Sequence, residues 1–254
     1  MPRKAPSAGL GGDQIEGRRA VLELLRAKRR SVWTVQLAQS VEHDDVIDEI
    51  VELAGPRLRT VPFERLAASA RSDGHQGVVA TADPLRTVDL DDLLDAPRPF
   101  LVALDGVSDP RNLGAVMRSA ETAGATGIVL PRHRSVRVTP VVAKAAAGAI
   151  EYLPIALVGG IPAAIDRGAR HNVWSVGLDE RGEQSLFDLA LADQSVMLVL
   201  GAEGRGLARL TRERCDVLVR VPMHGNVASL NVSAAATLAC HEVARRRATE
   251  RRAE

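Results

Sequence analysis

Five segments from Phe100 onward are almost wholly apolar, interrupted only by Ser175 and Arg220, and all but the second run into a turn containing glycine: Phe100–Leu104, Gly127–Leu130, Val173–Val176, Val196–Leu200 and Val217–Val221. A strand that faces water on one side alternates apolar and polar residues. A strand with no polar face must be covered on both sides. Helical stretches at Ala115–Ala123, Pro140–Ala149 and Pro162–Ala169 lie between these runs, and an Ala-rich helix spans about Val232 to Arg247. Strand–helix alternation with such strands predicts an α/β fold built on a buried, mostly parallel sheet.

The N-terminal part has a different texture. Ile15–Ala27 has the apolar spacing of a helix, and Ser31–Leu37 alternates like a strand. Asp44–Leu53 is again helical, Leu58–Val61 is a short strand stopped by Pro62, Glu64–Ala70 is helical, and Gly77–Thr81 closes a small α/β unit. Four aspartates (89, 91, 92 and 95) and three prolines from Pro84 to Pro99 mark a linker, with one short helix at Leu90–Leu94. The expected organisation is a flexible tail over 1–13, a small domain over 14–82, a linker over 83–98 and the parallel-sheet domain over 99–254.

Composition removes several function classes. No run of about 18 apolar residues exists, so a membrane-spanning helix is not expected. Met1–Gly12 lacks the apolar stretch of a secretory signal. Cys215 and Cys240 form no CxxC pair, and the six histidines are scattered without HExxH, so neither a disulfide framework nor a metal site is expected. A cytoplasmic protein without metal is the expectation. The six aromatic residues are too few for a base-stacking platform of the RRM type.

Ligands of open parallel sheets sit beyond the carboxyl ends of the strands, and three segments there are rich in small polar groups. In the first, Leu104–Arg118, Asn112 is a candidate cap for the helix start, and Arg118 is either a functional cation or a solvated helix-face residue. In the second, Leu198–Gly206, the glycines at 201, 204 and 206 permit close backbone approach to a ligand or make a plain turn. Their order is GxxGxG, not the GxGxxG of dinucleotide-binding oxidoreductases. In the third, Val221–Ser233, Asn226, Ser229, Asn231 and Ser233 are threaded by apolar residues. Ser229 or Asn231 is a possible helix cap, and a small ligand held by backbone groups would account for the rest.

Taken together, DPRNLGAVMRSAETAGATGIVL, LVLGAEGRGL and VPMHGNVASLNVSAAAT resemble, in order and spacing, the three signature motifs of the SpoU (TrmH-like) family of RNA ribose 2′-O-methyltransferases, within the SPOUT class. EGRRAVLELLRA (16–27) and HQGVVA (75–80) extend the likeness to the small substrate-binding domain of the bacterial ribosomal RlmB subgroup. The resemblance implies a C-terminal SPOUT domain with a deep trefoil knot, preceded by a small α/β RNA-binding domain. It implies S-adenosylmethionine as cofactor, a homodimer, and as substrate a guanosine of 23S ribosomal RNA. It also implies cofactor contacts from Gly201, Val221 and Leu230, joined by Gly177 and Met223. Asn112, Arg118, Glu203, Ser229 and Asn231 are the implied catalytic set. A guanidinium stays protonated, so Arg118 is expected to stabilise charge and clamp phosphate rather than act as a base. The rivals are a transfer-RNA or antibiotic-resistance type ribose methyltransferase and a non-catalytic RNA-binding assembly factor of the same fold.

The net charge of +1 conceals a segregated distribution. Residues 1–30 hold eight basic residues against three acids, and residues 131–150 hold four basic residues and no acid. Six acids and no base crowd Glu42–Glu52. Phosphate contact depends on local cationic surface rather than on the sum, so these two segments are the expected basic faces.

Overall fold

The computed structural model describes residues 10–132 and 137–250. Its elements, in chain order, begin with β1 (Gln14–Glu16), α1 (Arg18–Ala27), β2 (Val32–Ala38), α2 (Asp45–Ala54), β3 (Leu58–Val61), α3 (Phe63–Ser69), β4 (Val78–Ala82) and α4 (Leu90–Leu94). They continue with β5 (Phe100–Asp105), α5 (Pro110–Thr122), β6 (Gly127–Pro131), α6 (Pro140–Ala146), β7 (Ile155–Val158) and α7 (Ile161–Arg170). The last are β8 (Trp174–Leu178), β9 (Gln184–Ser185), β10 (Val196–Gly201), α8 (Arg209–Arg214), β11 (Val217–Arg220) and α9 (Val232–Glu250). Two compact units result, one formed by Met1–Arg86 with Arg137–Tyr152, the other by Thr87–Val136 with Leu153–Glu254.

In the first unit the sheet order is β1-β4-β2-β3, with β4 antiparallel to both its neighbours and β2 parallel to β3. The helix expected from Ile15 begins only at Arg18, because Gln14–Glu16 pairs with β4. Glu16, wholly buried, explains part of this: its carboxylate accepts hydrogen bonds from Gln14 Nε2 (2.8 Å), the Arg71 amide (2.6 Å) and Ser72 Oγ (2.5 Å). The tail expectation ends early too. Residues 1–9 lie outside the described residues, while Leu10 is buried and the Gly12 amide donates to Val138 O at 2.8 Å.

The surprise in this unit is Arg137–Tyr152, which the sequence pattern assigns to the C-terminal domain. Gly148, at φ +93°, lies so close to α1 that a Cβ there would come within 2.2 Å of Glu23 Cβ. Tyr152 Oη donates to Glu23 at 2.7 Å, and the Arg30 side chain, only 8% exposed, pairs with the buried Glu151 at 2.5 Å. Arg30 also donates to the carbonyls of Gly12 and Asp83.

The second unit is a seven-stranded sheet in the order β7-β6-β5-β10-β8-β11-β9, with every neighbouring pair parallel. All five apolar runs are strands of it. β7, the two-residue β9 and α8 are additions that no sequence expectation covered. Leu101, Ala103, Val129, Met197 and Val199 face a layer that includes Leu90, Leu93, Leu94, Ile161, Ala164 and Ile165. The segment expected as a linker thus contributes the three leucines of α4 to this core. β10 is inserted between β5 and β8, and β11 between β8 and β9, although both come later in the chain. Against α5 packs α9, whose Thr237 exchanges a 2.7 Å hydrogen bond with Ser119. Cys215 and Cys240 are free thiols, and burial pushes the pKa of each up to about 12.

Two stability measurements test these contacts. Glu151→Ala strands the Arg30 charge in a buried site and should cost about 3–5 kcal/mol in urea unfolding, whereas the double replacement Arg30→Met/Glu151→Met should cost much less. An Ala variant as stable as wild type would contradict the burial of the pair. The Glu242 carboxyl is held below its usual range by hydrogen bonds from Arg245 and then Arg246. Its stabilising contribution is therefore complete above the unfolded carboxylate pKa, about 4.3, and is lost as pH falls through the lower folded value. The stability gap between wild type and Glu242→Gln should close on acidification, followed by urea midpoints from neutral to acid pH.

Candidate active site

Because every strand of the second sheet runs the same way, the segments after β5, β8, β10 and β11 all leave at one edge. The segment after β5 turns through Gly106 (φ +85°) into α5. Asp109, not Asn112, caps this helix: Asp109 Oδ1 accepts from the Asn112 amide at 2.8 Å. That corrects the expected capping role and frees the Asn112 side chain. Asn112 Nδ2 donates to Glu203 Oε2 at 3.1 Å, and Asn112 Oδ1 accepts from Asn231 Nδ2 at 3.1 Å. Asn231 is the residue that caps α9, since its Oδ1 accepts from the Ser233 amide at 2.8 Å and from Ser233 Oγ at 2.6 Å.

The amide orientations in this chain are dictated by chemistry. A backbone N–H can only donate, so Asn231 must present its oxygen to Ser233 and its nitrogen to Asn112. Asn112 must then present oxygen to Asn231 and nitrogen to the carboxylate of Glu203. One side chain from each of the three polar segments is thereby locked into a single polarised relay.

Beside the relay is a cleft of about 300 Å³. Leu178, Leu200, Val219, Val221, Met223 and Leu230 supply apolar lining, while Asp179, Glu203 and Ser229 supply polar groups. The hairpin after β10 is closed by reciprocal backbone bonds between Ala202 and Gly206, 3.0 and 2.8 Å. Gly204 (φ +74°) and Gly206 (φ +63°) adopt left-handed backbone there. Gly201 is needed for another reason: a Cβ would come within 2.1 Å of Gly206 C, so the hairpin folds onto the strand end only over a glycine. Asp179, nearly buried, is a site residue that no sequence motif marks. It accepts from Arg212 Nε at 2.7 Å, and Arg212 also donates to Leu207 O at 3.2 Å. This pair ties the end of β8 to the segment after β10. A short helix of ordinary composition at 209–214 carries no pattern that announces it.

Of the residues expected at the site, Gly201, Val221, Met223, Leu230, Ser229 and Glu203 line the cleft. Asn112 and Asn231 belong to the adjoining relay. Gly177 does not line the cleft: a Cβ there would meet Leu207, Leu218 and Cys215 side chains at 2.8–2.9 Å, so its smallness serves packing, and Leu178 beside it takes the lining position. Arg118 is exposed on α5 and lines no part of the cleft; among the described residues its guanidinium has no hydrogen-bond or ion-pair partner. Among the described residues no group of three or more His, Cys, Asp or Glu side chains could hold a metal ion, and no helix is long and apolar enough to cross a membrane.

Two family models match the chain, the SpoU rRNA Methylase family over residues 99–241 and the RNA 2′-O ribose methyltransferase substrate binding domain over residues 14–88. The 23S rRNA (guanosine-2′-O-)-methyltransferase RlmB of Pseudomonas syringae pv. tomato is 38% identical over 94% of this chain and 98% of that protein. The putative TrmH family tRNA/rRNA methyltransferase YacO of Bacillus subtilis is 37% identical over 92% of this chain and 96% of that protein. Among solved structures, the SpoU methyltransferase AviRb of Streptomyces viridochromogenes, in complex with AdoMet, superposes with a TM-score of 0.77 at 26% identity, covering 93% of this chain and 90% of that one. With both of its units matched, the chain belongs to the SpoU family of RNA 2′-O-ribose methyltransferases.

Proposed function

We propose that the chain transfers a methyl group from S-adenosylmethionine to the ribose 2′-hydroxyl of a guanosine in 23S ribosomal RNA. The observation that carries the chemistry is the relay Glu203–Asn112–Asn231 at the mouth of the cleft, which joins residues 91 and 119 positions apart in the chain. The ribosomal target draws on likeness to RlmB proteins along nearly the whole chain, including the substrate-binding unit.

The cleft suits the cofactor. Its volume is at the lower end of the range for small-molecule sites, its apolar walls suit a flat base, and its carboxylates complement a cationic sulfonium. S-adenosylmethionine supplies an electrophilic methyl group, so the protein has only to bind, orient and stabilise. Gly201, Val221, Met223 and Leu230 form the binding walls. The nucleophile is the group that marks RNA as RNA, and it is weak until negative charge on its oxygen is tolerated. Arg118 stabilises that charge and clamps a neighbouring phosphate, helped by Asn112, Ser229 and Asn231. Glu203, a carboxylate with lone pairs left after accepting from Asn112, is the group of the relay that receives the hydroxyl proton.

The same reading includes a cytoplasmic homodimer and the deep knot. Exposed Met223, Val227, Leu230 and Leu238 support a subunit contact on this side of the second unit. The insertion of β10 and β11 between strands laid down earlier supports the knot.

Three measurements test the proposal. Ribosomal RNA from a deletion strain, analysed by mass spectrometry, should lack one ribose methyl on a guanosine. Loss of a transfer-RNA methyl instead would overturn the substrate, and no loss in either RNA would favour an assembly factor. Arg118→Ala should abolish methyl transfer while S-adenosylhomocysteine still binds in calorimetry; near-normal turnover would refute its role. Gly201→Ala, which forces the hairpin off the strand end, should weaken that binding by about tenfold or more, equivalent to ~1.4 kcal/mol. Unchanged affinity would remove the hairpin from the cofactor site.

A further inference from the structure

Most arginines of the second unit are already occupied. Arg167, Arg209, Arg212, Arg214, Arg245 and Arg246 are ion-paired with carboxylates. Arg98, Arg132, Arg220 and Arg247 donate to backbone carbonyls. Among the described residues the guanidinium groups of this unit with no hydrogen bond or ion pair are those of Arg111, Arg118, Arg170, Arg181 and Arg205, all exposed, and this unit's described residues include no lysine. Arg170 ends α7, and the other four belong to the segments that build the candidate site. Chance would scatter unpaired cations over the whole surface; here four of five gather in those segments.

Arg111 and Arg205 are the informative pair. Arg111 precedes Asn112, and Arg205 is two residues beyond Glu203, so the 3.1 Å bond between Asn112 and Glu203 fixes the two backbones beside each other. Arg111 and Arg118 are seven residues apart on α5, hence on one helix face and roughly 10 Å apart along its axis. That face is distinct from the one Ser119 turns to α9. We propose that Arg111 and Arg205 are RNA phosphate contacts that, with Arg118, hold the substrate strand on both sides of the reacting ribose. The inference rests on the RNA methyltransferase reading of the same site. It adds a cationic surface to those the sequence suggested. In residues 1–30, Arg18, Arg26 and Arg30 are paired with Asp44, Glu23 with Glu49, and Glu151, while Arg19 and Lys28 are exposed, as are Arg137 and Lys144 of the second basic segment; Arg3, Lys4 and Arg134 lie outside the described residues.

The test separates phosphate contact from cofactor contact and from charge alone. Binding of the full-length protein to a single-stranded poly(U) oligonucleotide is followed by anisotropy over a range of salt concentrations. Arg111→Ala and Arg205→Ala should each lower the slope of log affinity against log salt by about 0.7, one phosphate contact of a single strand. Arg209→Ala, which removes an equal charge from an arginine already paired with Glu213, should leave the slope unchanged. KM for an unmodified 23S rRNA transcript should rise about fivefold in the first two variants, a change equivalent to ~1 kcal/mol of lost attraction, with kcat and S-adenosylhomocysteine affinity retained. Wild-type slopes in both variants would overturn the proposal, and so would weakened S-adenosylhomocysteine binding, which would assign the two arginines to the cofactor carboxylate. Because the slope needs no turnover, a wild-type protein that binds RNA with these slopes yet methylates none would sink the enzyme reading and leave the phosphate contacts standing.

Discussion

A sheet in which seven strands all run in one direction gathers every segment that follows a strand at a single edge. That constraint makes the site possible, because its residues come from segments far apart in the chain. Parallel neighbours also need covered faces, which is why the strands are mostly apolar and why the polar segments of the site lie beyond their ends. The late insertion of β10 beside β5 brings Glu203 next to Asn112; a sheet extended by simple addition at its edge would hold them strands apart. The relay is therefore a product of strand order before it is a product of side-chain choice.

Two kinds of restraint keep that edge in shape. Glycine at 201 lets the hairpin fold down on its own strand end, and the nearly buried Asp179 with Arg212 anchors the end of β8 to the segment after β10. Both act on the backbone. The amide chain acts on side chains, and its polarity has one solution, since it starts from a donor that cannot reverse and ends on an acceptor that cannot donate. A ligand arriving there meets groups whose orientation is already decided, which is the condition for electrostatic catalysis to act without reorganisation.

The apolar runs make the five main strands legible, and the family resemblance carried by three polar motifs points to six of the cleft-lining residues. What escapes does so for physical reasons. β7 is a four-residue apolar run that reads equally as part of a helix, and β9 is two residues long. Gly177 sits next to a lining residue but faces the core, a distinction of strand alternation that a motif does not carry. Asp109 rather than Asn112 caps α5 because both types cap well and only the start of the helix decides between them. Asp179 and Arg212 pair across 33 positions with no local pattern. Charge is settled residue by residue by tertiary contact: Arg26 and Arg30 meet carboxylates, whereas Arg19 and Lys28 of the same basic segment stay exposed.

The placement of Arg137–Tyr152 in the first unit bears on how the chain is made. That unit is discontinuous, so it stays incomplete until residue 152 has been synthesised, by which point β5 and β6 of the second unit are already present. Until then, α1 lacks the surface offered by Gly148 and Arg30 lacks Glu151. Domains usually fold from the N-terminus as they emerge. Here the first unit to begin cannot close until β5, α5 and β6 of the second have been synthesised, yet it is complete before β7 to β11 have been made.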